Sequence, residues 1–279
     1  MVEGAGSLLR PVPLPKPDFH STCLVTGASS GIGADVARSL ARRGHGVTLV
    51  ARRAERLEEL GAELRDQQGV RVEVVEADLG ESRSRERMLA RLSELQLNVE
   101  VLVNNAGFGS GGLFYELDAE REAEMVRLNV EAVVSLCGRY LPEMVRRGRG
   151  AVLNVASTAA FQPLPRQATY GATKAFVLSF TDALHAELAG SGVTATALCP
   201  GPVRTEFADT AGIGEEAEGL PDVFWAESAD VAEQGVRGLE RNRRVVVPGM
   251  LNRAGALGGQ HVPRSLLLKL AGRLSPVGR

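Results

Sequence analysis

The sequence predicts an α/β fold, a doubly wound parallel sheet of about seven strands with helices on both faces, in a single domain. Two observations support this prediction. Short apolar runs alternate with stretches of helical periodicity along most of the chain, and this alternation is typical of parallel sheets covered by helices. The chain of 279 residues is also 44% hydrophobic, which is enough to bury the core of one such domain.

The elements follow one another in a regular order. Long helices are expected at about 117–147 and 168–190, and the glycine- and acid-rich stretch 208–227 is expected to be a flexible loop with a short helix. This loop comes just after the sixth strand, where ligands of such sheets bind, so it suits a lid over a substrate. Strands are predicted at 22–26, 46–51, 70–77, 98–103, 150–156, 193–199 and 243–247.

Composition excludes several classes of protein. The net charge is −2 and the charges are mixed along the chain, so no basic field for nucleic acid is expected. Three cysteines and four histidines are scattered without paired spacing, which predicts neither a disulfide framework nor a metal site. Neither a signal peptide nor a membrane-spanning segment is recognisable, and the expected location is cytoplasmic. We expect a proline-rich lead-in at 1–19, the main α/β domain at 20–248 with the loop 208–227, and a tail at 249–279.

A glycine-rich loop follows the first predicted strand and opens the first helix. It has the sequence Thr-Gly-Ala-Ser-Ser-Gly-Ile-Gly over 26–33. Glycines allow a backbone to turn sharply and approach a pyrophosphate, whose charge the amides and dipole of a helix N-terminus stabilise. Many turns are rich in glycine, so the loop by itself is weak evidence for a Rossmann-like dinucleotide site.

Two arginines at the end of the second predicted strand indicate which dinucleotide binds. Arg52 and Arg53 lie about 20 residues after the glycine loop, where a Rossmann unit places the group that meets the adenosine ribose. An acidic residue there would favour a free 2′-hydroxyl, whereas guanidinium groups suit a 2′-phosphate. The alternative is that both arginines only begin a solvated helix. We predict NADP(H) rather than NAD(H).

Tyr170 and Lys174 lie four residues apart on one face of a predicted helix. Only three of the 32 basic residues of the chain are lysines, so a lysine here indicates a role that arginine does not fill. A nearby ammonium favours the ionised phenol and is expected to lower the pKa of Tyr170, which suits a general acid and base. An exposed helix pair is the alternative interpretation.

Together these features resemble the short-chain dehydrogenase/reductase family over roughly residues 20–205. Besides the glycine loop, Asn-Asn-Ala-Gly occurs at 104–107, and Asn129, Ser157 and a Pro-Gly pair at 200–201 stand at matching positions. The resemblance implies four catalytic residues, Asn129, Ser157, Tyr170 and Lys174. It also implies cofactor contacts from Gly27, Ser29, Ser30, Gly31, Ile32, Gly33, Arg52, Arg53, Asp78, Leu79, Asn105, Ala106, Gly107, Tyr170, Lys174, Pro200, Gly201, Val203 and Thr205.

The resemblance also implies a role for each catalytic residue. Tyr170 would donate a proton to a carbonyl oxygen that Ser157 holds by a hydrogen bond. Lys174 would bind the nicotinamide ribose, and Asn129 would hold a water that links Lys174 to solvent. Thr205 would contact the nicotinamide carboxamide and Asp78 the adenine. In such enzymes the cofactor performs the hydride chemistry and the protein orients the reactants.

The finer placement is an NADP-preferring, bacterial-type branch of carbonyl reductases, with a small-molecule ketone or aldehyde as substrate. Eight apolar residues flank the expected site and indicate a hydrophobic substrate, although ordinary loop packing explains them as well: Phe108, Leu113, Phe114, Phe161, Leu164, Phe207, Phe224 and Trp225. Two alternatives are a catalytically silent NADP-binding sensor or scaffold, and a lyase or epimerase of the same fold.

Assembly and the tail complete the expectations. The two long predicted helices correspond to those that relatives pair across a two-fold axis, so a homodimer or homotetramer is expected. After Pro263 the tail predicts a short basic amphipathic helix, which would either contact an anionic membrane or pack on protein. Its leucines are Leu266, Leu267, Leu270 and Leu274, interspersed with Arg264, Lys269 and Arg273.

Overall fold

A parallel sheet of seven strands runs through the protein, which we describe from a computed structural model covering residues 14–214, 221–263, 265 and 268. The order across the sheet is β3-β2-β1-β4-β5-β6-β9, and neighbouring strands are parallel. Two short strands, β7 and β8, pair separately. The strands are β1 (Ser21–Thr26), β2 (Val47–Ala51), β3 (Val72–Glu76), β4 (Asn98–Asn104), β5 (Gly150–Val155), β6 (Val193–Leu198), β7 (Val203–Arg204), β8 (Ala226–Glu227) and β9 (Val245–Val246).

Helices cover both faces of the sheet. Apolar side chains of the first, second and eighth helices build one core, and those of the third, fifth and sixth build the other. The doubly wound α/β fold predicted from the sequence is therefore confirmed. The helices are α1 (Gly31–Ala41), α2 (Ala54–Gln68), α3 (Ser82–Glu94), α4 (Ala119–Val126), α5 (Ala132–Arg147), α6 (Ala168–Glu187), α7 (Phe207–Thr210), α8 (Ser228–Glu240) and α9 (Met250–His261).

Two predicted strands are shorter in the structure. The strand expected at 70–77 spans Val72–Glu76, and the one expected at 243–247 contains only Val245 and Val246. The second is the last strand of the sheet and pairs with β6 alone. Pro248 follows closely, and proline has no amide hydrogen to extend the pairing.

The helix expected over 117–147 is interrupted. Asp118 caps α4 by accepting a hydrogen bond of 2.8 Å from the Arg121 amide. One turn of π-helix, Arg127–Glu131, then separates α4 from α5. An isolated π-turn inserts an extra residue into a helix and is frequent at functional sites. Hydrophobic periodicity cannot reveal it, because the apolar face continues through the turn.

After β6, only part of the predicted loop and little of the predicted tail helix belong to the described residues. Helix α7 opens the predicted loop 208–227, the pair β7–β8 encloses it, and residues 215–220 lie outside the described residues. The predicted amphipathic helix of the tail also falls almost entirely outside them. Across the described part of the chain, no helix has the length and apolar character needed to cross a membrane.

Candidate active site

The strands β1 and β4 are neighbours in the sheet, but the helices that follow them pack on opposite faces, and a crevice lies between the two connections. This reversal of strand order is where doubly wound sheets bind nucleotides. The glycine loop leaves β1 with Gly27 at φ +65°, and a Cβ atom there would lie 2.8 Å from Asn105 Nδ2. At Gly33, a Cβ atom would collide with the Gly27 carbonyl oxygen. The loop can follow this path only without side chains at these positions.

The side chain of Thr26 joins the glycine loop to the end of β4. Its Oγ1 accepts hydrogen bonds from the amides of Asn105 (2.9 Å) and Ala106 (3.0 Å), and donates to the Val103 carbonyl (3.1 Å). Asn105 Nδ2 donates to the carbonyls of Thr26 and Gly27. Thr26 therefore fixes the two walls of the crevice to each other, a role that was not predicted from the sequence.

The N-terminus of α1 faces this crevice. Ser30 precedes the helix and makes no side-chain capping bond, so the amides of the first turn remain free for an anion. Gly31 has a φ of +53°, and a Cβ atom there would lie 2.9 Å from Thr205 Cγ2. Thr205, predicted to contact the nicotinamide, thus lies against the loop predicted to hold the pyrophosphate.

The other predicted cofactor residues surround the crevice in different ways. Ile32 and Val203 pack on the core and Leu79 is buried. These three residues could therefore contact a cofactor only through the backbone or through one edge of the side chain. The Asp78 carboxylate accepts a hydrogen bond from the Gly80 amide, and Gly201 lies against Asn252 of α9. Pro200 accepts a long hydrogen bond of 3.5 Å from the Ser157 hydroxyl.

Arg53 reaches back over the glycine loop. Its Nη2 donates to Ser29 Oγ (3.0 Å) and Ser30 Oγ (2.8 Å). Arg52 is much more exposed and lies 3.7 Å from an Asp78 oxygen. The structure therefore separates the two arginines that the sequence places together, because only Arg53 contacts the loop.

A carboxylate already engages this cationic corner. Glu206 accepts hydrogen bonds from Arg53 Nη1 (2.8 Å) and Arg56 Nη1 (2.6 Å). These bonds, the one from Arg53 first, lower the pKa of Glu206 to about 2. Neither Glu206 nor Arg56 is among the site residues predicted from the sequence. Arg56 follows Arg53 at helical spacing, but nothing local in the sequence signals its partner 150 residues away.

Tyr170 and Lys174 occupy successive turns of α6 and both are buried. Lys174 Nζ donates to the Val155 carbonyl (2.9 Å) and lies 5.8 Å from the Tyr170 ring centre. Burial raises the pKa of Tyr170 to about 12 and lowers the pKa of Lys174 to about 8. The expectation of a lowered tyrosine pKa is therefore wrong, since loss of hydration on burial raises the pKa of Tyr170. The phenol is protonated at neutral pH.

Ser157 meets the phenol from the end of β5. Its Oγ caps a 3₁₀ turn, Thr158–Phe161, by accepting a hydrogen bond of 3.1 Å from the Ala159 amide. The Ser157 hydroxyl lies close enough to Tyr170 to offset part of the effect of burial on the pKa of the phenol. Two hydroxyl groups therefore lie side by side in a buried position, where both can bond one oxygen atom of a substrate.

Asn129 lies in the π-turn and is almost completely buried. Its Nδ2 donates to the Phe108 carbonyl (2.9 Å) and to Thr173 Oγ1 (3.1 Å), and its Oδ1 accepts from the Phe108 amide (3.2 Å). A Cβ atom on Gly107 would be 2.8 Å from Asn129 Oδ1 and 3.5 Å from Lys174 Nζ. The absence of a side chain at Gly107 leaves room between the amide and the ammonium. Both amide hydrogens of Asn129 are engaged, so a bound water would have to donate to one of its oxygens.

An apolar wall stands beside the phenol. Met125, Ala159 and Tyr170 form a small core, against which Phe108, Leu164 and Phe207 pack. The Phe207 ring centre is 5.3 Å from that of Tyr170. A Cβ atom on Gly109 would lie 2.9 Å from Phe207 Cζ, a constraint that the sequence analysis did not find. Of the other predicted apolar residues, Phe114 is exposed and Trp225 lies under Arg204.

Known proteins share this architecture. The family described as short chain dehydrogenase matches residues 21–216. The very-long-chain 3-oxoacyl-CoA reductase of Anas platyrhynchos is 35% identical over 196 residues, which cover 68% of this chain but only 62% of that protein. The NADP-dependent 3-hydroxy acid dehydrogenase YdfG of Escherichia coli is 36% identical over 197 residues, covering 70% of this chain and 78% of that protein.

A solved structure shows the same relationship. A short-chain dehydrogenase from Sphingobium yanoikuyae, determined in complex with NADPH, superposes with a TM-score of 0.78 at 36% identity, covering 93% of this chain and 96% of that one. The chain belongs to the short-chain dehydrogenase family and is an oxidoreductase of that family, as the motifs predicted.

Proposed function

We propose that the protein is an NADP(H)-dependent oxidoreductase that interconverts a ketone or aldehyde and the corresponding alcohol. One observation carries the proposal. The hydroxyl groups of Ser157 and Tyr170 adjoin each other in a buried position, with Lys174 one helical turn away. The crevice with the free α1 N-terminus opens beside them.

The side chains divide the work of reduction between them. Ser157 donates a hydrogen bond to the carbonyl oxygen and orients it toward the phenol. Tyr170, protonated at neutral pH, gives its proton to that oxygen as negative charge develops there. When bound, NADP(H) would supply or accept the hydride. The buried ammonium of Lys174 favours the phenolate that remains, and Asn129 helps to hold the α4–α5 segment next to Lys174.

The glycine loop fits a dinucleotide, since side chains at Gly27 or Gly33 would fill the cradle. The preference for NADP(H) is assigned to Arg53. This residue follows the end of β2, and its guanidinium group donates hydrogen bonds to Ser29 and Ser30 of the glycine loop. A guanidinium fork and two hydroxyl donors form a suitable site for a phosphate. The NADPH complex of the Sphingobium relative and the NADP-dependent E. coli relative support this choice.

The substrate is proposed to be hydrophobic. Phe108, Leu164 and Phe207 surround the face of Tyr170, and an apolar wall next to the reacting oxygen stabilises a substrate with a hydrocarbon portion. The similarity to a very-long-chain 3-oxoacyl-CoA reductase agrees with this class. A catalytically silent NADP-binding sensor is less favoured, because a binding protein needs no paired hydroxyl groups beside a buried lysine.

The test is consumption of NADPH with a panel of aliphatic, aromatic and steroid-like ketones and aldehydes, followed by the absorbance of the reduced nicotinamide. We expect turnover with at least one hydrophobic carbonyl compound, and slower turnover with small polar ones. NADPH binding without turnover of any compound in the panel would favour the sensor. Turnover with NADH at the same efficiency would contradict the assignment of Arg53.

A further inference from the structure

A second cleft lies at the outer edge of the sheet, between α8, β9 and α9. It has a volume of about 440 Å³, within the range of roughly 300–1,000 Å³ typical of small-molecule sites. None of the predicted catalytic or cofactor residues lines it. We call it the arginine cleft, because five of its lining residues are Arg237, Arg241, Arg243, Arg244 and Arg253.

The charges of the arginine cleft are unbalanced. Arg237 pairs with Glu233 (2.8 Å) and Arg244 pairs with Asp182 (2.5 Å). The side chains of the other three arginines form no ion pair or hydrogen bond with any residue that the structure describes. The whole chain has a net charge of −2, so this local excess of positive charge is not a property of the surface in general. A cleft lined by one sign of charge concentrates ligands of the opposite sign.

The floor of the cleft is apolar. The half-buried side chains of Val245, Val246 and Val247 line it, together with Phe161 and the buried Ala256. An inorganic anion would satisfy the arginines and leave this surface in contact with water. A ligand that covers the floor and also meets the arginines needs a hydrocarbon portion as well as a strongly anionic group.

We propose that the arginine cleft binds an organic phosphate that carries an apolar portion. Guanidinium groups form paired hydrogen bonds with phosphate oxygens, and a phosphate group presents enough oxygens to meet more than one arginine. A second copy of the chain is the other occupant to consider. The edge strand β9 contains only two residues, which offers little backbone for pairing between sheets, so a small ligand fits the cleft better.

The cleft has a direct connection to the candidate active site. Phe161 ends the 3₁₀ turn that Ser157 caps, and a Cβ atom on Gly259 of α9 would lie 3.1 Å from the Phe161 carbonyl oxygen. A ligand that packs on Phe161 therefore contacts the turn that positions Ser157. Occupancy of the cleft is expected to change KM for the carbonyl substrate more than the affinity for NADPH. The reason is that the glycine loop follows β1, which β4, β5 and β6 separate from β9.

Calorimetric titration of the full chain with three probes tests the site. Octyl phosphate has both the anion and the chain, inorganic phosphate has only the anion, and octanol has only the chain. We expect octyl phosphate to bind roughly tenfold more tightly than either of the others, since each lacks one of the two contact types. Equal affinity of octyl phosphate and inorganic phosphate would overturn the role of the apolar floor.

Two matched triple variants locate the binding. Arg241→Ala/Arg243→Ala/Arg253→Ala removes the three unpaired charges, and Arg83→Ala/Arg87→Ala/Arg139→Ala removes three exposed arginines elsewhere. The first should weaken octyl phosphate binding by roughly tenfold or more, and the second should leave it unchanged. Equal losses in both variants would indicate a general charge effect and overturn the proposal.

Two further measurements exclude other sites. If Arg53→Ala abolishes octyl phosphate binding, the probe occupies the dinucleotide crevice and the proposal is overturned. If the first triple variant instead dissociates an oligomer of the protein, as judged by light scattering, the cleft is an interface between copies. Thermal unfolding by circular dichroism shows that each variant is folded. These outcomes do not depend on whether the protein turns over NADPH.

Discussion

From the proposed role of Arg53 we expect Glu206 to compete with a cofactor phosphate, so that its removal tightens NADPH binding. The Glu206 carboxylate pairs with Arg53 and Arg56 at 2.8 and 2.6 Å, beside the serine hydroxyls proposed to hold the 2′-phosphate. The bonds from Arg53 and Arg56 keep the pKa of Glu206 near 2. In the folded protein the competing charge is therefore complete from pH 5 upward and is lost only as the pH falls to about 2.

The size of the effect follows from the exposure of the pairs. The side chains involved are 44–46% exposed, and ion pairs this exposed contribute about 0.2–1 kcal/mol each because water screens them. Release of both pairs is therefore worth roughly 0.4–2 kcal/mol, or about a two- to thirty-fold change in affinity. Glu206→Gln keeps the shape of the side chain and removes the charge, so NADPH should bind more tightly within this range.

Fluorescence titration with NADPH and NADH measures the effect. Asp209→Asn is the matched control, because Asp209 lies on the adjoining helix α7 and forms no ion pair among the described residues. The gain should be larger for NADPH than for NADH, which has no 2′-phosphate. Unchanged or weaker NADPH binding in Glu206→Gln, or the same gain in Asp209→Asn, would refute the competition.

Three further predictions concern cofactor choice, stability and assembly. Arg53→Ala should weaken NADPH binding by about 1.5–3 kcal/mol and Arg52→Ala by less, because only Arg53 contacts the loop; equal losses with NADH in a parallel titration would contradict this. Glu233→Gln should lower the free energy of unfolding by about 1.5–3 kcal/mol, because Glu233 joins α8 to Arg43 and Ser39 of the α1 region. The pKa of Glu233 is lowered to about 2, mainly by Arg43, so the contribution to stability is complete above about pH 4.5. The difference in unfolding free energy between wild type and Glu233→Gln, measured in urea, should therefore narrow as the pH falls from 5 to 3. A difference that stays constant would argue against this role of Glu233. Exposed apolar side chains on α5 and α6, among them Val134 and Phe176, favour a homodimer or homotetramer, and a light-scattering mass near 29.6 kDa at micromolar concentration would exclude it.

Periodicity and spacing predicted the fold and most residues of the candidate site. The alternation of apolar runs with helical stretches is a local property of the sequence, and so is the four-residue spacing of Tyr170 and Lys174. The structure places both residues in one buried site with Ser157 and Asn129. Their catalytic roles remain proposals.

The features that the sequence did not reveal depend on contacts between distant segments. Glu206 meets Arg53 and Arg56 only because the turn after β7 folds over the end of β2. The raised pKa of Tyr170 depends on burial by several elements at once, so the nearby lysine alone gave the wrong direction. The π-turn around Asn129 leaves no mark on the apolar pattern, and the arginine cleft unites α8 and α9 across β9.

Transfer of deuterium to a carbonyl substrate from NADPH that carries deuterium in both C4 positions of the nicotinamide tests the central claim most directly. With wild type, mass spectrometry of the alcohol product should show one deuterium on the former carbonyl carbon. Tyr170→Phe should lower the rate by about 10²–10⁴-fold, as expected for the loss of a general acid, while NADPH affinity stays nearly unchanged because the glycine loop is intact. Near-normal transfer by Tyr170→Phe, or an alcohol without deuterium from wild type, would contradict the account.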